Sequence, residues 1–163
     1  MSLHDSTVTT IRGDRVSLAD YRDRVIMVVN VASRCGLTPQ YAQLEDLQRT
    51  YGARGFAVLG FPSDDFQQEP GSPEEIETFC STTYGVTFPM FDKVAVNGAE
   101  QHPVFAALTQ VPDSAGEAGD VRWNFEKFLV TPAGDVHRFR SGVDPLDPEI
   151  VALIEASLPQ RSS

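Results

Sequence analysis

The feature that most constrains this chain is a pair of continuous apolar runs separated by one helical segment. Residues 25–31 and 56–61 are rich in β-branched and aromatic side chains, a pattern typical of strands buried on both faces. Apolar residues recur at helical spacing over 41–51, with Thr38 as the predicted N-cap and Gly52 as the predicted stop. A strand, a helix and a second buried strand in this order predict a crossover unit with parallel strands.

A capping box indicates a second helix. Ser72 and Glu75 have the spacing of such a box, and the predicted helix ends near Gly85. Its predicted core face consists of Ile76, Phe79, Cys80 and Thr83. The turn 81–83 is made of residues that form helix poorly, so we expect this helix to be only marginally stable.

The remaining segments complete an α/β architecture. They are a hairpin over 6–18, a helix over 103–110, a mobile loop over 111–120, an antiparallel hairpin of 128–130 with 136–139, and a helix that starts at Asp147. The order of elements predicts a thioredoxin-like sandwich. It has a mixed, mostly parallel central sheet with flanking helices and an N-terminal β-hairpin.

Size and charge exclude several classes of protein. A chain of 163 residues fits one domain over 1–163. Its net charge of −10 is repelled by phosphate backbones and anionic lipids, so neither nucleic acid nor a membrane is an expected partner. The first residues show no signal-peptide pattern. We therefore expect a cytoplasmic protein, in which a pair of cysteines is more often redox-active than structural.

Cys35 is the first candidate for chemistry. It follows the first central strand and precedes a predicted helix, a position where open α/β sheets favour ligand sites. Helix N–H groups and the adjacent Arg34 would both favour the thiolate, which is the nucleophilic form. The alternative is an inert residue that fills the corner between strand and helix. Local context alone leaves both interpretations open.

Cys80 has the same two interpretations, and a buried core thiol is favoured when it is taken alone. In the functional interpretation it closes a disulfide with oxidised Cys35, which requires Cα atoms within about 7 Å. A thiol packed on its helix reaches that distance only if the helix unwinds locally. The chain has no C-x-x-C pair, which argues against a plain thioredoxin or disulfide isomerase.

Gln68, Trp123 and Asn124 are the remaining polar candidates, because each side chain carries an N–H donor. Such donors would stabilise the anionic oxygen that forms when a thiolate attacks a peroxide. Taken singly, the tryptophan also fits a core and the two amides fit loop caps. The histidines share no metal-ligand spacing and no phosphate loop or dinucleotide fingerprint occurs, so we expect neither a metal nor a cofactor.

Several blocks resemble, in the same order, the motifs of the glutathione peroxidase family. They are NVASRCGLTPQY at 30–41, GFP at 60–62, FQQEPGS at 66–72, FCSTTYGVTFP at 79–89, VNG at 96–98 and WNFEKFL at 123–129. The resemblance covers residues 6–158, which is nearly the whole chain. It implies a thioredoxin-like fold and peroxidase activity.

The resemblance also implies a role for each candidate. Cys35 stands where the family has its selenocysteine or peroxidatic cysteine. Gln68, Trp123 and Asn124 match the rest of the family's catalytic tetrad. Cys80 matches the resolving cysteine of the thioredoxin-dependent members. The implied substrates are hydrogen peroxide and organic hydroperoxides, the implied reductant is thioredoxin, and a short loop before the tryptophan implies a monomer.

One block departs from the family pattern. Where the family usually reads GFPCNQF, this chain has GFPSDDF at 60–66. Asp64 and Asp65 would oppose a thiolate if they faced Cys35 and would matter little if they faced solvent. Three alternatives to a peroxidase stay open at this point. One is a peroxide sensor that passes oxidation to a partner protein, and another is a non-catalytic thioredoxin-fold binding module. A structural disulfide protein is a weaker alternative, because the sequence shows no export signal.

Overall fold

A computed structural model describes residues 3–159 of the chain. In chain order the elements are β1 (Thr7–Thr9), β2 (Arg15–Ser17), β3 (Val25–Val31), α1 (Gln40–Tyr51), β4 (Phe56–Pro62), α2 (Pro73–Tyr84), α3 (Pro103–Leu108), β5 (Lys127–Val130), β6 (Val136–Phe139) and α4 (Pro148–Ser157). Short 3-10 turns lie at Leu3–Asp5, Leu18–Tyr21 and Gly52–Arg54. None of the helices in this described part is long and apolar enough to cross a membrane.

The central sheet has four strands in the order β4–β3–β5–β6. β3 and β4 pair in parallel across the predicted crossover, whereas β3–β5 and β5–β6 are antiparallel. The sheet is therefore mixed, as expected, but only one of its pairings is parallel because the closing hairpin lies directly beside β3. β1 and β2 form the predicted N-terminal hairpin as a separate antiparallel pair.

Each face of the sheet carries its own apolar core, which is the sandwich that the sequence predicts. One face packs against α1, α2 and α4 and includes Val25, Met27, Val29, Tyr41, Ile76 and Ile150. The other face packs against α3 and the N-terminal hairpin and includes Val8, Ile26, Val28, Phe61 and Phe105. Every residue of β3 and of β4 is buried, which confirms that both strands are covered on both faces. Cys35 and Cys80 both belong to the first core.

The capping box of α2 forms as predicted. The Ser72 hydroxyl accepts the Glu75 N–H at 3.2 Å, and the Glu75 carboxylate accepts the Ser72 N–H in return. Gly85 ends the helix with φ of 60°, a left-handed conformation that favours glycine. The predicted core face was wrong at one position: Ile76 and Cys80 are buried, but the Thr83 side chain is exposed.

Arg138 of β6 anchors the long loop between α3 and β5 to the sheet. Its fully buried guanidinium pairs with the buried carboxylate of Glu126 at 2.7 Å and lies over the ring of Phe128. It also donates to loop carbonyl oxygens of Thr109, Val111, Gly119 and Asp120. The segment 111–120 is irregular, as predicted, but its backbone is fastened to the sheet at both ends.

Removing the Arg138 guanidinium should destabilise the fold strongly. Arg138→Met removes the fully buried partner of the Glu126 carboxylate and leaves Arg140, at 2.9 Å, as its remaining partner. The loss of one member of a buried pair costs about 3–5 kcal/mol of unfolding free energy. The matched control is Arg22→Met, which removes an exposed ion pair with Asp5 and should change stability little. Urea unfolding of both variants measures the difference, and equal losses would contradict this role for Arg138.

Candidate active site

Cys35 lies in a tight turn directly after β3, and its side chain is only 7% exposed. The Thr38 hydroxyl closes this turn by accepting the Cys35 N–H at 2.9 Å and donating to the Ala32 carbonyl oxygen at 2.8 Å. The Leu37 N–H donates to the Cys35 sulfur at 3.3 Å. A donor of this kind binds an anionic sulfur more strongly than a neutral one, so the turn is suited to hold a thiolate.

The predicted helix start was therefore wrong. Thr38 does not cap α1, whose N-cap is Pro39 without a side-chain hydrogen bond. A threonine hydroxyl can bond to nearby backbone groups in place of capping a helix, and here it organises the cysteine turn. The N–H group at the Cys35 sulfur accordingly comes from the turn, at Leu37, and not from the first turn of α1.

Gln68 and Asn124 are far apart in sequence and meet in the structure. The Asn124 side-chain N–H donates to the Gln68 side-chain oxygen at 3.2 Å. The Gln68 carbonyl oxygen accepts the N–H of Arg34, the residue before Cys35, at 3.1 Å. Asn124 is fully buried and its side-chain oxygen has no hydrogen-bond partner. The pair thus has unused hydrogen-bonding capacity and is tied by a backbone hydrogen bond to the turn that carries Cys35.

The backbone is strained beside both amides. Gln67, which precedes Gln68, has φ of 61°, and Phe125, which follows Asn124, has φ of 65°. They are the non-glycine residues with positive φ among residues 3–159. Such conformations cost about 1–3 kcal/mol each and persist where the surroundings enforce them, often at functional sites. Their placement beside Gln68 and Asn124 indicates that this part of the molecule is a candidate functional site.

Trp123 lies at the surface rather than in the core. Its side chain is 37% exposed, and its ring centroid is 5.3 Å from that of Phe66. The core interpretation of this tryptophan is therefore wrong. The exposed indole thus directly precedes the fully buried Asn124 in the chain.

Cys80 is 2% exposed and lies within α2. The pKa of its thiol is raised to about 11, mainly by burial and to a smaller extent by the carboxylate of Glu69, while the Tyr41 hydroxyl opposes the rise. The hydroxyl of Tyr41 lies beside this thiol but forms no hydrogen bond of good geometry. Both cysteines are free thiols in the structure. In the intact helix Cys80 is thus a protonated, weakly nucleophilic thiol at neutral pH.

Asp64 and Asp65 are both exposed and act as loop acceptors. The Asp64 carboxylate accepts the Glu69 N–H at 2.9 Å. The Asp65 carboxylate accepts the N–H groups of Val96 and Asn97 at 2.8 and 3.0 Å. Of the two possibilities raised by the sequence, this arrangement matches the solvent-facing one, in which screening weakens any effect on Cys35.

Lys127 is a buried charge beside the site that the sequence analysis did not single out. Its ammonium group donates to the carbonyl oxygens of Phe125 at 2.7 Å and Ser141 at 3.1 Å. Burial lowers its pKa to about 7, an effect that Asp144 and Glu126 oppose. The signal in the sequence was a lysine at the head of a strand whose other residues are apolar.

Comparison with known proteins supports what this geometry suggests. The model of the glutathione peroxidase family matches residues 3–109. The chain belongs to the glutathione peroxidase family. This confirms the resemblance found in the sequence motifs, and by family the chain is a peroxidase.

Two relatives match nearly the whole chain. The thioredoxin/glutathione peroxidase BtuE of Escherichia coli is 45% identical, over 96% of this chain and 99% of its own. The hydroperoxy fatty acid reductase gpx1 of Synechocystis is 47% identical, over 96% of both chains. Among solved structures, Trgpx in its apo form has a TM-score of 0.75 and 33% identity, and the match covers 98% of this chain and 99% of that one.

The burial of Lys127 leads to a prediction about how the stability of the protein depends on pH. Its pKa is lowered on folding, so between about pH 7 and the unfolded value of 10.5 the unfolded chain binds the proton and the folded chain does not. In that window the free energy of unfolding of the wild type therefore rises by about 1.4 kcal/mol per pH unit because of this group. Lys127→Met and Lys127→Gln should both lose this gain. Urea unfolding from pH 7 to 9.5 measures it, and a difference from wild type that does not vary with pH would refute the prediction.

Proposed function

We propose that this chain is a thiol peroxidase that reduces hydrogen peroxide and organic hydroperoxides through Cys35, with Cys80 as resolving thiol and thioredoxin as reductant. The observation that carries the proposal is the Gln68–Asn124 amide pair, tied through Arg34 to the turn that holds the Cys35 sulfur. Amide groups linked by a backbone hydrogen bond to the turn of a sulfur that already accepts an N–H suit a reaction in which charge moves from sulfur to oxygen.

In the first step the Cys35 thiolate attacks the O–O bond of the hydroperoxide. A sulfur–oxygen bond forms, the O–O bond breaks, and the leaving oxygen takes a proton to depart as water or an alcohol. Cys35 becomes a sulfenic acid. Asn124, Gln68 and the indole of Trp123 orient the hydroperoxide and donate hydrogen bonds to the oxygen on which negative charge develops.

In the second step Cys80 attacks the sulfenic sulfur. A disulfide bond forms, the sulfur–oxygen bond breaks, and the hydroxyl leaves as water with the proton of the Cys80 thiol. Because burial holds the pKa of this thiol near 11, the step requires Cys80 to leave its packed position in α2. When Cys80 becomes exposed, the pKa of its thiol returns towards the free value of about 8.5.

Helix α2 has features that support local unwinding. The Ser81 and Thr82 hydroxyls both donate to the Thr78 carbonyl oxygen, a back-bonding pattern that slightly destabilises helices. Beyond the helix, Glu45 of α1 accepts the Thr87 N–H and hydroxyl, each at 2.7 Å. The segment after α2 is thus fixed to α1, so unwinding can be confined to the helix that holds Cys80.

In the third step a dithiol of the thioredoxin type reopens the disulfide by exchange and returns both cysteines to thiols. The name of the Escherichia coli relative, a thioredoxin/glutathione peroxidase, supports this reductant. The name of the Synechocystis relative, a hydroperoxy fatty acid reductase, supports organic hydroperoxides among the substrates. A cycle of this kind needs a reducing compartment, so we propose that the protein acts in the cytoplasm. We also propose that it is a monomer.

Replacing Cys35 tests the first step. Cys35→Ser should abolish hydrogen peroxide consumption in an assay that couples thioredoxin, thioredoxin reductase and NADPH, because a serine hydroxyl does not form the reactive anion at neutral pH. Thr10→Ser removes one methyl group and keeps the hydroxyl that accepts the Asp14 N–H, so it is the control and should keep wild-type turnover. Full activity of Cys35→Ser would show that the reacting sulfur lies elsewhere.

Replacing Cys80 separates oxidation from resolution. Cys80→Ser should still form a sulfenic acid at Cys35, detected by mass spectrometry after trapping with dimedone, but should lose turnover with thioredoxin. Wild-type protein treated with one equivalent of peroxide should instead contain a Cys35–Cys80 disulfide. If the Cys80→Ser variant turns over normally with thioredoxin, this thiol is structural and the resolving step is wrong.

A further inference from the structure

Asn30 is a fully buried polar residue near the end of an otherwise apolar strand. Burying an amide is costly unless its donor and acceptor are both satisfied. An aliphatic residue at this position would simply continue the β-branched run of β3. The proposed reaction cycle does not use Asn30, so its retention in the core needs another explanation.

Asn30 forms three hydrogen bonds with residues 123–126, the segment that directly precedes β5. Its side-chain N–H donates to the Trp123 carbonyl oxygen at 3.0 Å. Its side-chain oxygen accepts the Glu126 N–H at 3.1 Å. Its own carbonyl oxygen accepts the Phe125 N–H at 2.6 Å. One residue thus binds the backbone on both sides of Asn124.

The bracketed segment is also the strained one. Phe125 has φ of 65°, a conformation that a bulky side chain adopts only when its surroundings enforce it. With the flanking peptide groups held by Asn30, the peptide between them is held too, and the Asn124 amide is directed at Gln68. Without those bonds the turn can relax, and the side chains of Trp123 and Asn124 move with it.

We propose that Asn30 is a positioning residue for the peroxide reaction. It fixes the turn so that the Asn124 amide and the Trp123 indole point to the place where the leaving oxygen forms beside Cys35. This inference rests on the proposed function. It assigns to Asn30 no contact with substrate, only control over the side chains that make such contacts.

Two substitutions separate the hydrogen bonds. Asn30→Val removes both side-chain bonds and continues the apolar strand. Asn30→Asp has nearly the same shape and keeps the acceptor for the Glu126 N–H, but its carboxylate has no donor for the Trp123 carbonyl oxygen. The aspartate variant changes almost no volume and lacks the donor only while its carboxyl group is ionised. Its rates are therefore measured at alkaline pH, where it carries the test even if the valine variant does not fold.

The measurement compares two reactions of the same sulfur in a Cys80→Ser background, where Cys35 is the only thiol. Hydrogen peroxide needs donors for its leaving oxygen, whereas iodoacetamide alkylates the thiolate without them. We expect both Asn30 variants to lower the rate constant with peroxide, by about 10–100-fold for Asn30→Val and by less for Asn30→Asp. The rate constant with iodoacetamide should stay close to that of the parent.

A matched control and a spectroscopic signal exclude a merely structural role. Thr131→Val removes a comparable hydrogen bond, to the Asp135 N–H at the opposite end of β5, and should change neither rate. Trp123 is the chain's one tryptophan, so its emission and its quenching by acrylamide should change in the Asn30 variants and not in the control.

The outcomes are distinguishable. A drop in the peroxide rate alone, with a changed Trp123 signal, supports the inference. Peroxide and iodoacetamide rates that fall in proportion, or that both stay unchanged, overturn it. If the parent with intact Asn30 reacts with peroxide no faster than free cysteine does, the proposed function has failed instead.

Discussion

The antiparallel pairing of β5 with β3 is the constraint on which the site depends. β3 and β4 are parallel, so their carboxyl ends, at Val31 and Pro62, lie at the same edge of the sheet. Because β5 runs the other way, its beginning at Lys127 lies at that edge as well. Three segments distant in sequence therefore meet there: the Cys35 turn, the loop with Gln68 and the turn with Asn124.

Bringing polar groups to this edge costs stability, and the fold offsets the cost with buried hydrogen bonds. The ammonium group of Lys127 binds two carbonyl oxygens, and the Arg138–Glu126 pair anchors the loop that leads to Trp123. Each of these groups is satisfied by backbone or by an opposite charge, as buried polar groups must be. The side-chain oxygen of Asn124 is one of the buried polar atoms that have no hydrogen-bond partner, and it lies beside Gln68.

The two cysteines have opposite environments within one apolar core. The Cys35 sulfur accepts an N–H in a tight turn outside the helices. The Cys80 thiol is packed in α2 beside Tyr41 with its pKa raised to about 11. This difference fits the proposed cycle, in which Cys35 reacts first and Cys80 becomes a nucleophile only after α2 has changed conformation.

Periodicity and capping patterns were sufficient to predict the strands, the helices and the sandwich, because they depend on local spacing. They misplaced the start of α1, where the Thr38 hydroxyl bonds to the Ala32 carbonyl oxygen in place of a helix N–H. Burial of Lys127 and Arg138 was not foreseen, since charged residues are by default assigned to the surface. The meeting of Gln68 with Asn124 was beyond local reasoning as well, because it follows from the direction of β5, and only the family resemblance pointed to it.

The most direct test of the account is the stopped-flow rate constant of reduced Cys35 with hydrogen peroxide, followed through Trp123 fluorescence. One donor aimed at a developing oxyanion is worth about 10²–10³ in rate. The account therefore predicts a rate constant at least about 100-fold above that of free cysteine thiolate under the same conditions. A value equal to that of the free thiolate would contradict it, because the amide pair and the indole would then contribute nothing to breaking the O–O bond.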